Sequence, residues 1–209
     1  MMTTPETAPE TAPETTPATT SPTDRSDTVL AIIAARRSTK KFAEQPPTRA
    51  QLEALLQSAA CAPDHGKLAP WRFTILQGPS RGLFADALAE SLRQRMPEVA
   101  EEAVLREREK AFRSPVLVVV SAHAEPHPKV PEVEQWVAVG AAVQNLWLAA
   151  VAMGLGAAWK TGNAAYDPVV KRALGIPETD AIIGFLHVGS PVASAPPREI
   201  EFDSRTRWL

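Results

Sequence analysis

The stretch 133–153 limits the possible folds more than any other part of the chain. Trp136, Leu146, Trp147 and Leu148 add large apolar area to a background of Ala138, Gly140, Ala141, Ala142, Ala149 and Ala150. A helix apolar all round must be covered all round, by protein or by lipid. Glu134, Gln135, Gln144 and Asn145 interrupt the run too early for a membrane span, which needs about 20 apolar residues. The stretch therefore reads as a central helix whose small residues let a neighbour approach closely, in a core or a dimer interface. Gly154-Leu155-Gly156 closes it, because glycine supplies a left-handed cap.

Shorter apolar runs supply the elements that cover it. Residues 72–76, 116–120, 157–160 and 182–188 read as strands. Helical spacing marks 28–35, with Asp27 as its cap. It also marks 48–61, where Thr48 and Gln51 form a capping box ahead of Leu52, Leu55, Leu56 and Ala59. Further helices are predicted over 80–94, 98–112 and 167–174, the last opened by Asp167-Pro168 and stopped by Gly175. Glycines 154 and 156 follow a helix and open a strand, the reverse of the dinucleotide-binding fingerprint.

At 209 residues, with 44% hydrophobic and 22% charged, residues 28–209 suit one domain. Residues 1–27 differ. Pro5, Pro9, Pro13 and Pro17 recur among Thr, Ala and Glu with almost nothing to bury, which predicts a disordered tail. The tail lacks the basic start and apolar stretch of a secretory signal. A net charge of -2 argues against nucleic acid or an anionic membrane as partner. The single cysteine, Cys61, excludes an internal disulfide framework and fits a reducing, cytoplasmic setting. His123, Glu125 and His127 share a loop with no cysteine or further histidine to complete a tetrahedral set, so no metal site is expected.

Two loops flank the helix 48–61. In an extended chain, Arg36, Ser38 and Lys40 would point to one side and Arg37, Thr39 and Lys41 to the other. Two cations and a hydroxyl on one face make an anion site, suited to a phosphate ester or the electron-rich edge of a reduced ring. On the far side, Pro63-Asp64-His65-Gly66 has the chemistry of a tight turn before Pro70-Trp71.

Arg-Arg-Ser-Thr-Lys-Lys-Phe at 36–42, Ala-Pro-Asp-His at 62–65 and Pro-Trp at 70–71 resemble the FMN-dependent nitroreductase family, and within it the small bacterial YdjA-like branch. The echoes continue at His127-Pro128-Lys129-Val130-Pro131, at Ala157-Ala158-Trp159-Lys160-Thr161-Gly162 and at Gly184-Phe185-Leu186, covering nearly all of 29–191. The resemblance implies an α+β fold: a three-layer α/β/α sandwich with a mostly antiparallel central sheet, in a domain-exchanging homodimer. It implies FMN held by Arg36, Arg37, Ser38, Lys40, Cys61, Ala62, His65, Trp159, Lys160 and Thr161. Arg198, after Pro196-Pro197, is a further candidate for the phosphate.

The implied chemistry belongs to the cofactor, with no catalytic side chain. NADH or NADPH gives hydride to FMN and leaves, and a nitroaromatic, quinone-like or related acceptor takes its place in a ping-pong cycle. Lys40 would favour an anionic reduced ring. Two other readings share the scaffold: a flavin-binding or storage protein without turnover, and a dedicated flavin-dependent dehydrogenase or dehalogenase. Lys67 and Ala69 stand where many members of the family carry Asn and Gln, and Cys61 stands where the YdjA-like branch has arginine. Each change bears on affinity and substrate more than on cofactor identity.

Overall fold

Four antiparallel strands make one sheet in the order β1, β2, β4, β3: Trp71–Gln77, Val116–Ala122, Ala181–Gly189 and Gly156–Lys160. The computed structural model describes residues 22–193, 196 and 201–209. β2 is buried along its whole length, Ser121 included, as the apolar run at 116–120 requires of a central strand. Among the described residues six α-helices accompany the sheet: α1 (Pro22–Ala35), α2 (Arg49–Ala60), α3 (Arg81–Arg95), α4 (Glu101–Glu109), α5 (Glu132–Ala152) and α6 (Pro168–Ala173).

Alternation along the strands divides the core into two. Val116, Val118, Val120, Leu186 and Val188 face α2 and α5, meeting Leu55, Val139, Leu146 and Ala150. Leu117, Val119, Ile182 and Phe185 face α3 and α6, meeting Phe84, Leu88 and Val170. The result is the expected sandwich of helix, antiparallel sheet and helix. α5 is long and apolar enough to cross a membrane by length and composition. One side of it packs on the sheet, while Val133 (60%) and Val137 (67%) remain exposed.

The predicted punctuation holds. Thr48 and Gln51 form the capping box of α2, Asp167 accepts from the Val169 N–H ahead of α6, and Gly154 and Gly175 adopt positive φ. The first helix differs from expectation. It begins at Pro22, so Asp27 lies inside it and is not its cap. Proline with its preset φ starts a helix without losing a hydrogen bond. Residues 1–21, most of the expected tail, fall outside the described residues.

Candidate functional site

Segment 36–42 leaves α1 and runs beside the start of β3. Ser38 forms a parallel bridge with Ala157, the Thr39 N–H donates to the Ala157 carbonyl at 3.0 Å, and Phe42 forms an antiparallel bridge with Pro191. The approach is close enough to require glycine at 156, where a Cβ would fall 2.2 Å from Thr39 Oγ1. Arg37, Ser38 and Lys40 line a cavity of about 600 Å³ that also includes Gly156, Leu155 and Pro191. Arg37 is partly engaged: its Nε donates to the Pro196 carbonyl at 3.1 Å and its Nη1 to the Ala34 carbonyl at 2.7 Å.

Arg36 turns elsewhere, which corrects the expected grouping of Arg36, Ser38 and Lys40 on one side. The strand-like parts are single bridges at Ser38 and Phe42 with a bend at Lys40 between them, so simple alternation does not extend across the segment. The Arg36 guanidinium lies over the Trp147 ring, 4.4 Å from its centroid. Among the described residues Arg36 has no carboxylate partner. The indole is 6% exposed, and its Nε1 has no hydrogen-bond partner among the described residues. A guanidinium stacked on an indole still has its in-plane N–H donors available.

The end of β3 presents the next group. Trp159 is half-buried; its Nε1 donates to the Ile183 carbonyl at 3.0 Å, and it packs so closely on Gly184 that a Cβ there would fall 1.9 Å from Nε1. Lys160 and Thr161 are exposed and line a second cavity of about 500 Å³ together with Arg95, Arg113 and His187. Burial, followed by the charges of Arg113 and Lys160, pushes the His187 imidazole down to about 4. Its proton can be placed. Ser114 Oγ donates to the Val116 carbonyl at 2.7 Å, so it accepts from His187 Nδ1–H at 3.0 Å.

Loop 61–70 is held by side chains more than by strand pairing. Asp64 Oδ2 accepts from the Ala69 N–H at 2.6 Å, and His65 Nδ1 donates to Glu134 at 2.6 Å. Lys67 (φ 55°) and Ala69 (φ 47°) occupy the left-handed region without being glycine. Cys61 is exposed at the end of α2, and Ala62 is buried. His65 lines a third cavity of about 330 Å³ with Val133, Val137 and Ala141 of α5. Within one chain, then, His65 and the 37–40 segment line separate cavities. Arg198 lies outside the described residues.

Sequence reasoning missed Trp147, Arg95, Arg113 and His187. Trp147 carried the signal of a core residue, and nothing in its spacing announces that α1 ends above it. The other three come from three different elements, so only the fold brings them together. His123, in the loop already considered, bonds the buried Asp180 at 2.7 Å.

Known proteins of this architecture give the geometry its context. YdjA of Escherichia coli K12, named as an NAD(P)H nitroreductase, is 36% identical over 166 residues, covering 79% of this chain and 90% of its own. A nitroreductase-like protein of Bacillus cereus superposes with a TM-score of 0.75 at 25% identity, over 87% of this chain and 95% of that one. A Bacteroides fragilis nitroreductase with bound FMN gives 0.65 at 23% identity, over 87% and 98%. The model of the nitroreductase family matches residues 33–190, a span from the last turn of α1 to just past β4 that includes the 36–42 segment, loop 61–70 and the end of β3, and the chain belongs to that family.

Proposed function

We propose that the protein is an FMN-dependent oxidoreductase that takes hydride from NADH or NADPH and passes it to a nitroaromatic, quinone-like or related acceptor. The observation that carries this reading is the donor set along β3. Arg37, Ser38 and Lys40 stand at one end, with Arg36 turned onto Trp147, and Lys160 and Thr161 stand at the other. At ~3.3 Å per strand residue, Ala157 and Lys160 are about 10 Å apart, within the reach of one flavin mononucleotide. Cations and hydroxyls with few carboxylates among them fit a ligand that combines a phosphate with a ring rich in acceptors.

Bound FMN would supply the hydride chemistry, and this chain supplies binding, orientation and charge. Arg36, whose guanidinium makes no hydrogen bond among the described residues, and Ser38 would hold the phosphate or the pyrimidine edge. Lys40 would stabilise negative charge on the ring. Trp159 backs the strand end as a rigid wall, fixed by its bond to the Ile183 carbonyl. Donor and acceptor would use the same open face in turn.

The exposed Val133 and Val137 of α5, beside His65, support a homodimer in which loop 61–65 of one copy completes the site of the other. A small-molecule acceptor and a cytoplasmic setting complete the reading. The test is to purify the protein, release and identify any flavin, and measure NADH and NADPH oxidation with added FMN and a nitroaromatic panel. Bound FMN and acceptor-dependent oxidation are expected; absence of both flavin binding and oxidation overturns the reading.

A further inference from the structure

The second cavity has a charge pattern that flavin binding does not use up. Arg95 of α3, Arg113 ahead of β2 and Lys160 of β3 line it, and none of them has a carboxylate partner among the described residues. Lys110 lines it too, paired with Glu107 at 2.6 Å, the one carboxylate on the wall. Four cations thus face one acid in a chain whose net charge is -2. Converging like charges repel one another, and an anion arriving between them relieves that repulsion. The field is felt inside the fold, where Arg113 and Lys160 add to burial in keeping His187 neutral.

The same lining carries apolar side chains, Phe185 directly across the strands from Lys160. Phe84 and Phe185 stack with ring centroids 4.7 Å apart, and Leu88 and Leu92 continue the surface along α3. A cavity of about 500 Å³ lined by cations and apolar side chains together has room for a small aromatic acid. We propose that it is a substrate subsite for an aromatic oxyanion, with Arg95, Arg113 and Lys160 holding the carboxylate or phosphate of the acceptor and the Phe84–Phe185 wall receiving its ring. The assignment of the oxyanion to an electron acceptor rests on the proposed oxidoreductase function, since Lys160 and Thr161 border both this cavity and the proposed flavin edge. The phosphates of a nicotinamide dinucleotide have the same charge, and the test separates the two sources.

The experiment compares the full chain with Arg95→Gln/Arg113→Gln and with a control, Arg49→Gln/Arg172→Gln, which removes the same charge at two exposed ion pairs elsewhere. With FMN present, 4-nitrobenzoate and the neutral 4-nitrobenzamide are titrated at equilibrium. Both are then run as acceptors, and NADH and NADPH are varied in turn. Charge-assisted contacts predict that the unaltered protein prefers the acid by about tenfold or more. The first variant should lose that preference, while the control keeps it and the KM for either dinucleotide stays within about twofold. A KM for NADH or NADPH that rises tenfold while the acid keeps its advantage would move the oxyanion to the dinucleotide and overturn the acceptor assignment. Equal binding of acid and amide by the unaltered protein, or equal losses in both variants, also overturns it. If the protein neither binds flavin nor oxidises NAD(P)H, the oxidoreductase reading fails on its own, and the equilibrium titration still decides whether the cavity takes an aromatic oxyanion.

Discussion

The two faces of the sheet are built to different rules. Under α2 and α5 the packing is almost wholly apolar, with Leu55, Val139, Leu146 and Ala150 at 1% exposure or less. Under α3 and α6 the interior carries polar groups: Ser91 bonds Asp167, Ser114 bonds His187, and four cations approach a cavity. The first face is a matter of volume, and its rim holds Arg36 against Trp147. The second is a matter of charge. The same chain should therefore respond to cavity creation on one side and to protons on the other.

The largest expected effect tests the first half of that contrast. Leu146 is fully buried in α5, and Leu146→Ala should cost about 2–5 kcal/mol, the sum of lost transfer energy and the cavity left behind. No ionisable group is involved, so the loss measured by urea unfolding should be the same at pH 7 and pH 5. A strong pH dependence would show that the two faces are not separable.

Acid tests the other face. The imidazole of His187 titrates near 4 in the folded protein and near 6.5 when unfolded, so the unfolded chain takes up the proton first. Stability is complete above about 6.5, falls as pH drops through the window to about 4, and levels off below it. Over that window the loss is roughly 3 kcal/mol from this group alone. His187→Gln keeps an N–H for Ser114 but takes up no proton, and its unfolding free energy should lack this component. If both proteins fall equally between pH 6.5 and 4, acid sensitivity lies elsewhere.

This contrast also explains what the sequence made legible. Periodicity reports burial on one face of an element, so the strands, α2 with its capping box and the long α5 could all be read, within a few residues. The segment 36–42 and the strand end at 159–161 could be read because each is local and matches a family pattern. The cavity of Arg95, Arg113, Lys160 and His187 could not, because its members are far apart in the chain and each has an ordinary explanation where it stands. Arg95 ends a helix, for example, where a cation is favoured by the helix dipole in any protein. Helix α1 began earlier than expected because Asp27 resembles a cap whether or not the chain before it is helical, and Pro22 offered an equally good start.

The smallest effect concerns the seam between the apolar face and the proposed flavin edge. Trp147 has two roles that sequence alone cannot separate: it fills space beside Leu146, and its ring holds the Arg36 guanidinium at 4.4 Å. A half-exposed guanidinium over an indole is worth about 1 kcal/mol, so loss of the ring face should weaken FMN binding by about fivefold if Arg36 contacts the flavin. Trp147→Phe keeps a smaller π face and should fall between the parent and Trp147→Leu, whereas a purely volumetric role would not follow that order. Fluorescence titration of FMN measures all three. The decisive comparison places Trp147→Leu in an Arg36→Gln background, where the indole has no cation left to hold. The two substitutions should then be non-additive, the leucine adding little to the loss already caused by glutamine. Full additivity would mean that Trp147 acts on the flavin site through packing alone and that the apolar face reaches the site without Arg36.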